Sequence, residues 1–273
     1  MTIFINQLRS IPFKIKRPLC SLGLGSNPSF LILGAQKAGT TSLFKYIEKY
    51  AENFTPPIKK ELYFFSEKYH KGYSWYKSWF PLKLQNGHIT GEATPDYLFY
   101  HKCAKRVYEK YPNMKMVVLL RNPIDRAYSQ YNFQRNSNKT NAYNPLTFKD
   151  ALNEELNIKN IPEEFDFYYK YRSYLKRGHY YEQIKEWIHY FPENQILFIE
   201  SDSFYKETEY YLKEVFSFLN LKFKKNKKLS FKAQNKTEYS EQLNHSTREF
   251  LREYYKPHNA KLYSLLNRDF EWN

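Results

Sequence analysis

Apolar residues recur along this chain in two periods, and the alternation between them predicts the architecture. Short apolar runs at Phe30–Leu33, Met116–Leu120 and Gln195–Ile199 are strand-sized. Between them lie stretches with helical spacing. Leu43, Phe44 and Ile47 fall on one face of a helix beginning near Ser42, and Asn122-Pro123 starts a helix over Ile124–Arg135. Tyr181, Ile184, Trp187 and Ile188 mark a third helix, ended by Phe191-Pro192, and Glu209–Leu219 and Arg248–Leu266 also read as helices. Strands separated by helices predict an α/β fold: a single domain with a central, mainly parallel sheet flanked by helices. In such sheets the ligand crevice lies beyond the carboxyl ends of the strands. Residues 1–28 are expected to be an amphipathic or disordered lead-in, residues 29–273 the domain, and the polar, basic Lys222–Lys236 a surface loop.

Composition narrows the class. Twenty-seven Tyr, 22 Phe and 4 Trp in 273 residues supply too much burial potential for a disordered chain. No apolar run approaches the ~20 residues that cross a bilayer, and Arg9, Lys14, Lys16 and Arg17 interrupt any signal-peptide core at the N-terminus. Only Cys20 and Cys103 occur, without metal-ligand spacing. No metal site and a reducing, cytoplasmic compartment are therefore expected. The net charge of +15 has two readings: lysine-rich compositional drift, or attraction of an anionic partner such as a nucleic acid, a polyanionic glycan, a membrane surface or a phosphorylated cofactor.

Two segments carry candidate chemistry. Gly34-Ala35-Gln36-Lys37-Ala38-Gly39-Thr40-Thr41 sits where a strand turns into a helix. Its glycines permit close backbone approach, the helix start offers unpaired N–H donors, and Lys37 adds a positive charge, which together make a P-loop-like phosphate cradle. Lys37 precedes Gly39, whereas a Walker A lysine directly follows the last glycine, so an ordinary nucleotide triphosphatase is the wrong template. In Leu120–Tyr131, Arg121 ends a strand and Ser129 lies two helical turns on, where both could face one anion. Arg126 is read as an ion-pair partner of Asp125 or Glu109. Tyr180, Ile184 and Trp187 share a helical face and are read as core.

At these residues the chain resembles a known family. Lys37-Ala38-Gly39-Thr40-Thr41-Ser42-Leu43 is similar to the 5′-phosphosulfate loop of sulfotransferases that use 3′-phosphoadenosine 5′-phosphosulfate (PAPS), and Arg121 with Ser129 resembles their 3′-phosphate motif. Lys60-Glu61-Leu62-Tyr63-Phe64-Phe65, Gly91–Tyr97 and Gly178-His179-Tyr180 leading to Trp187 resemble the heparan-sulfate-type branch, which includes glucosaminyl N- and 3-O-sulfotransferases. The resemblance runs from about Phe30 to the end. It implies PAPS as co-substrate, released as adenosine 3′,5′-bisphosphate, and a carbohydrate acceptor. It further implies Glu61 as catalytic base, Lys37 as stabiliser of the leaving group, Lys60 beside them, with Lys59 able to do the same work, and a nucleotide cradle of Lys37, Ala38, Gly39, Thr40, Thr41, Ser42, Arg121 and Ser129. Asn235 and Lys236 occupy the place of the basic loop that closes over the nucleotide. The cysteine pair and the Lys-Gly-Arg-like loop of the animal enzymes are absent. Glu92 and Asp96 either approach the acceptor or belong to a helix start at Thr94-Pro95.

The competing readings are a nucleotide or small-molecule kinase, which should need Mg²⁺ and a matching Walker loop, and a nucleic-acid-binding protein. The aromatics occupy periodic apolar positions rather than alternating with basic residues along one segment, so no nucleic-acid partner is expected.

Overall fold

The computed structural model describes residues 13–82, 87–136, 147–158, 170–225, 228–231 and 242–272. Four strands, β1 (Phe30–Gly34), β2 (Gly91–Ala93), β3 (Lys115–Leu120) and β4 (Ile196–Glu200), form one sheet in the order β2-β1-β3-β4, with every pairing parallel. The register sets Phe30 opposite both Gly91 and Lys115. β1 is buried along its whole length and β3 from Met116 onward, which is why both read as unbroken apolar runs: a parallel sheet is covered on both faces. After β1 the chain passes to β2 on one side and then crosses to β3 on the other. The loops after β1 and β3 therefore diverge and leave a crevice at their carboxyl ends.

The helices read from the sequence are present, and Lys102–Lys110 and Phe148–Leu156 join them without having been read there. Thr40–Tyr50 buries Leu43, Phe44, Ile47 and Tyr50. Pro123–Arg135 starts with proline in its first turn, and the Asn122 side chain accepts from Ile124 N at 3.0 Å. Tyr180–Tyr190 buries Tyr180, Ile184 and Trp187, as the shared face predicts. Thr208–Leu219 and His245–Leu266 complete the C-terminal half. Ile124, Tyr131, Phe148, Tyr174, Leu175, Leu251 and Tyr255 make a second, smaller core beside the main one.

Three expectations change. β2 has only three residues and carries the acidic Glu92, so no apolar run announced it. Part of the lead-in is ordered: Phe13–Ser21 is a helix with Cys20 buried. The start of Lys222–Lys236 is no free surface loop. Lys224 N donates to Tyr50 O at 2.8 Å, the Tyr50 hydroxyl donates to Ser230 O at 2.6 Å, and Phe231 packs 5.2 Å from Tyr46, all on the helix Thr40–Tyr50.

Candidate active site

The loop after β1 is bound to the neighbouring strand before it reaches its helix. Ala35 N donates to Leu119 O, and Ala38 N donates back to Ala35 O at 3.1 Å, which folds the loop into a tight turn. Lys37 and Gly39 both have left-handed backbone, with φ of 69° and 101°. Gly39 caps the helix Thr40–Tyr50, and a Cβ there would meet the Tyr205 hydroxyl at 2.9 Å, so only glycine fits without displacing that ring. The turn presents the N-terminus of an eleven-residue helix, the positive end of its dipole, to the crevice. Ser42 lies buried behind it, 3.2 Å from the Tyr205 hydroxyl.

Positive charge converges on the same place. Arg121, just past the end of β3, donates from Nη1 to Lys37 O at 3.1 Å, while the Tyr180 hydroxyl holds the Arg121 carbonyl at 2.9 Å. The Lys37 ammonium lies 4.1 Å over the Phe133 ring. Burial and then the nearby Arg121 guanidinium push the Lys37 pKa down to about 8, and Glu61 partly offsets them. A cation under that pressure is matched to an incoming anion. Lys37, Arg121 and Glu61, from three separate loops, thus share one electrostatic environment. Ser129 is buried in the helix after β3.

Glu61 and Tyr63 also have left-handed backbone, with φ of 62° and 55°. Lys60 Nζ meets Glu61 Oε1 at 2.5 Å, and the Tyr63 hydroxyl donates to Oε2 at 2.7 Å. Burial raises the Glu61 pKa, but the Lys60 charge, the two hydrogen bonds and Lys170 outweigh it and hold the carboxyl below its ordinary value. Glu61 is thus ionised at neutral pH, and its two donors leave lone pairs for a third. Lys60, rather than Lys59, is its partner. The pairing expected of a plain surface carboxylate is therefore present, but in a half-buried setting shared with Lys37.

Glu92 and Asp96, expected either near the acceptor or at a helix start, are both buried with partners of their own. Glu92 is fully buried on β2 and takes hydroxyl hydrogen bonds from Tyr76 (2.6 Å), Tyr97 (2.9 Å) and Thr94 (2.8 Å), with Leu62 N at 3.4 Å. Burial raises its pKa and those donors only partly offset the rise, and the Leu62 contact ties β2 to the segment carrying Glu61. Asp96 is buried in an ion pair with Arg177 at 2.7 Å. Arg126 pairs with neither Asp125 nor Glu109: it is fully buried, donates to Gln130 Oε1 at 2.8 Å and to Tyr174 O, and lies near Glu155. Asp125 instead meets Arg248 at 2.7 Å. Asn235 and Lys236 lie outside the described residues.

Sequence reasoning missed Tyr63, Lys170 and Tyr205. Tyr63 stood inside a quoted motif, and its spacing of two from Glu61 signals contact only once both residues turn left-handed. Lys170 and Tyr205 reach the site from remote segments and left no local signal.

Residues 27–260 match the sulfotransferase domain family. The chain is 28% identical over 90% of its length to the membrane-associated sulfotransferase kil1 of Dictyostelium discoideum and covers 66% of that protein. It is likewise 28% identical over 92% of its length to heparan sulfate glucosamine 3-O-sulfotransferase 3B1 of Mus musculus, covering 67% of it. A crystal structure of a sulfotransferase from Alicyclobacillus acidocaldarius superposes with a TM-score of 0.71 at 25% identity, covering 90% of this chain and 99% of that one. The chain thus spans about two thirds of the length of these curated relatives. The Dictyostelium relative is by name membrane-associated, which overturns the expectation of a cytoplasmic protein. Among the described residues no helix is long and apolar enough to cross a membrane. With a matched region that begins before β1 and ends in the last helix, the chain belongs to the sulfotransferase domain family of enzymes.

Proposed function

We propose that the protein transfers a sulfuryl group from PAPS to a hydroxyl or amine of a carbohydrate acceptor by in-line displacement. The convergence of Lys37, Arg121 and Glu61 on one crevice, beside a helix N-terminus, carries this reading. The residues fit the donor. The turn Gly34–Gly39 and the start of Thr40–Tyr50 offer backbone N–H groups to a 5′-phosphosulfate. Arg121 and the buried Ser129 stand on the next strand–helix junction, where a 3′-phosphate would lie. The named relatives that act on heparan sulfate glucosamine support a glycan acceptor.

The chemistry divides between opposite charges. Glu61, ionised and within a cluster of donors, takes the proton of the acceptor as its oxygen or nitrogen attacks sulfur. Lys37 neutralises the negative charge that builds on the phosphate oxygen as the bond from sulfur to that oxygen breaks. Lys60 and Tyr63 aim the Glu61 carboxylate and keep it unprotonated. Residues 29–273 make up the catalytic domain in this reading, with Asn235 and Lys236 assigned to the cover over the nucleotide.

Transfer of labelled sulfate from PAPS to a panel of heparan-type oligosaccharides tests the proposal. Wild-type protein should label the glycan, and Glu61→Gln should lower turnover by about 10²–10⁴ while binding adenosine 3′,5′-bisphosphate normally. Full turnover by Glu61→Gln removes it as the base. No transfer to any glycan by protein that binds the nucleotide removes the carbohydrate acceptor.

A further inference from the structure

The last turns of the helix Pro123–Arg135 have their polarity reversed around one residue. The amides of Gln130, Asn132 and Gln134 are buried, whereas Phe133, which packing alone would place inside, is 49% exposed. A single exposed apolar side chain is ordinary on a protein surface. This one stands at the candidate site: the Lys37 ammonium lies 4.1 Å from the centre of its ring. Phe133 also follows Ser129 by one helical turn, so the two share a face of the helix about 6 Å apart along its axis.

These contacts fix which end of the donor the ring borders. Arg121 and Ser129 are assigned to the 3′-phosphate, and Lys37 to the phosphate oxygen that sulfur leaves. A ring against the Lys37 ammonium, one turn beyond Ser129, therefore stands at the sulfuryl end. Glu61, assigned to the proton of the acceptor, shares the electrostatic surroundings of Lys37. The reacting atom of the acceptor must lie between Glu61 and the sulfur beside Lys37, and Phe133 borders that space.

The chemistry of the ring selects what it receives. A phenyl ring offers no hydrogen bond, so it favours a ligand with apolar area to bury. The electron-rich face of an aromatic ring attracts the Lys37 cation and disfavours a carboxylate or sulfate laid over it. A pyranose meets both conditions: one face presents mainly C–H groups, while its rim carries hydroxyls or amines. With that face on Phe133, the rim stays free to present a hydroxyl or amine to Glu61.

We propose that Phe133 is an acceptor-binding residue, on which a sugar ring of the acceptor stacks by its apolar, uncharged face. This inference rests on the carbohydrate acceptor proposed above and adds the residue that recognises it. Such a stack lies away from the reacting atoms and is the same before and during transfer. Its loss therefore raises KM and leaves kcat in place.

Kinetics of transfer from saturating PAPS to a heparan-type oligosaccharide test the inference, alongside titration of the same oligosaccharide into protein saturated with adenosine 3′,5′-bisphosphate. Phe133→Ala and Phe133→Leu should each raise the acceptor KM and dissociation constant about five- to tenfold. Both should keep kcat and nucleotide affinity within about twofold of wild type. Phe133→Tyr, which retains a flat ring, should restore acceptor affinity, a rescue that a role in packing the helix would extend to Phe133→Leu as well. An acceptor KM that Phe133→Ala leaves unchanged overturns the inference, and so does a comparable loss of nucleotide affinity, which would assign the ring to the donor or to Lys37 alone. Wild-type protein that binds the nucleotide and labels no oligosaccharide removes the carbohydrate reading and this inference with it; labelling that Phe133→Ala does not impair removes this inference alone.

Discussion

Arg121 donates to the carbonyl oxygen of Lys37 at 3.1 Å, so the residue assigned to one phosphate also fixes the loop that would hold the other. Replacing it should therefore damage both ends of the nucleotide site. Arg121→Ala is expected to weaken adenosine 3′,5′-bisphosphate at least about tenfold, the loss of one charge-assisted contact being about 1.5–3 kcal/mol. It should also narrow the preference over AMP, which lacks the 3′-phosphate. Titration calorimetry with both nucleotides checks this, and an unchanged ratio of affinities would remove Arg121 from the 3′-phosphate.

Lys37 carries a stability cost that its proposed role explains. Its pKa of about 8 in the folded protein lies below its ordinary 10.5. Below pH 8 the side chain is charged in both states and the folded state bears the full penalty. Between pH 8 and 10.5 the unfolded chain binds the extra proton, so the penalty fades as pH rises. Lys37→Met should accordingly stabilise the nucleotide-free protein at pH 7 by on the order of 2 kcal/mol, with the gain vanishing towards pH 10.5. In the wild type, affinity for adenosine 3′,5′-bisphosphate should fall as pH rises through about 8. Thermal melts and titrations across that range measure both effects.

The fold was legible where strands and helices differ in the period of their apolar residues, as at Thr40–Tyr50 and Tyr180–Tyr190. Pro123–Arg135, buried on most sides, was marked by Asn122-Pro123 instead, and Lys102–Lys110 and Phe148–Leu156 were not read from the sequence. Met116–Leu120 could only be a doubly covered strand, and Leu43, Phe44 and Ile47 could only share a helix face. The site was legible where chemistry is local, as at Lys37, Gly39 and Arg121. It was not legible where a partner is chosen by tertiary contact. Glu92 looked available in sequence, but four donors from Tyr76, Tyr97, Thr94 and Leu62 enclose it. Arg126 had two carboxylates nearby in sequence, yet its helix turns it to Gln130 and the Tyr174 carbonyl.

Arg126 should therefore act on stability alone. Arg126→Met leaves Gln130 Oε1 and the Tyr174 carbonyl without their donor in a closed interior, a loss of about 3 kcal/mol. Denaturant unfolding should show that loss, while nucleotide affinity of the folded protein stays within a factor of two or so. A large loss of affinity at unchanged stability would place Arg126 in the nucleotide site instead.

Chelation tests whether the proposed reaction needs a metal. In the proposed reaction Lys37 and the helix N-terminus carry the positive charge that a metal would otherwise supply, so turnover should persist in EDTA. Turnover lost in EDTA and restored by Mg²⁺ would favour phosphoryl chemistry over sulfuryl transfer.

The environment of Glu61 makes a prediction about pH. Lys60 contributes its charge and a hydrogen bond, Tyr63 a hydrogen bond alone, and both lower the carboxyl pKa against burial. A base must be unprotonated to act, so the acid limb of the kcat profile follows Glu61 in the nucleotide complex. Tyr63→Phe removes one donor at nearly constant shape and should move that limb to higher pH. Lys60→Met removes the larger influence and should move it further, with adenosine 3′,5′-bisphosphate affinity little changed in either variant. Above the limb, Tyr63→Phe should regain most of its turnover, which a defect of folding or acceptor binding would not allow. Profiles measured on both variants with saturating PAPS decide the matter: an acid limb that neither substitution moves belongs to another group, and Glu61 then loses its assignment as the base.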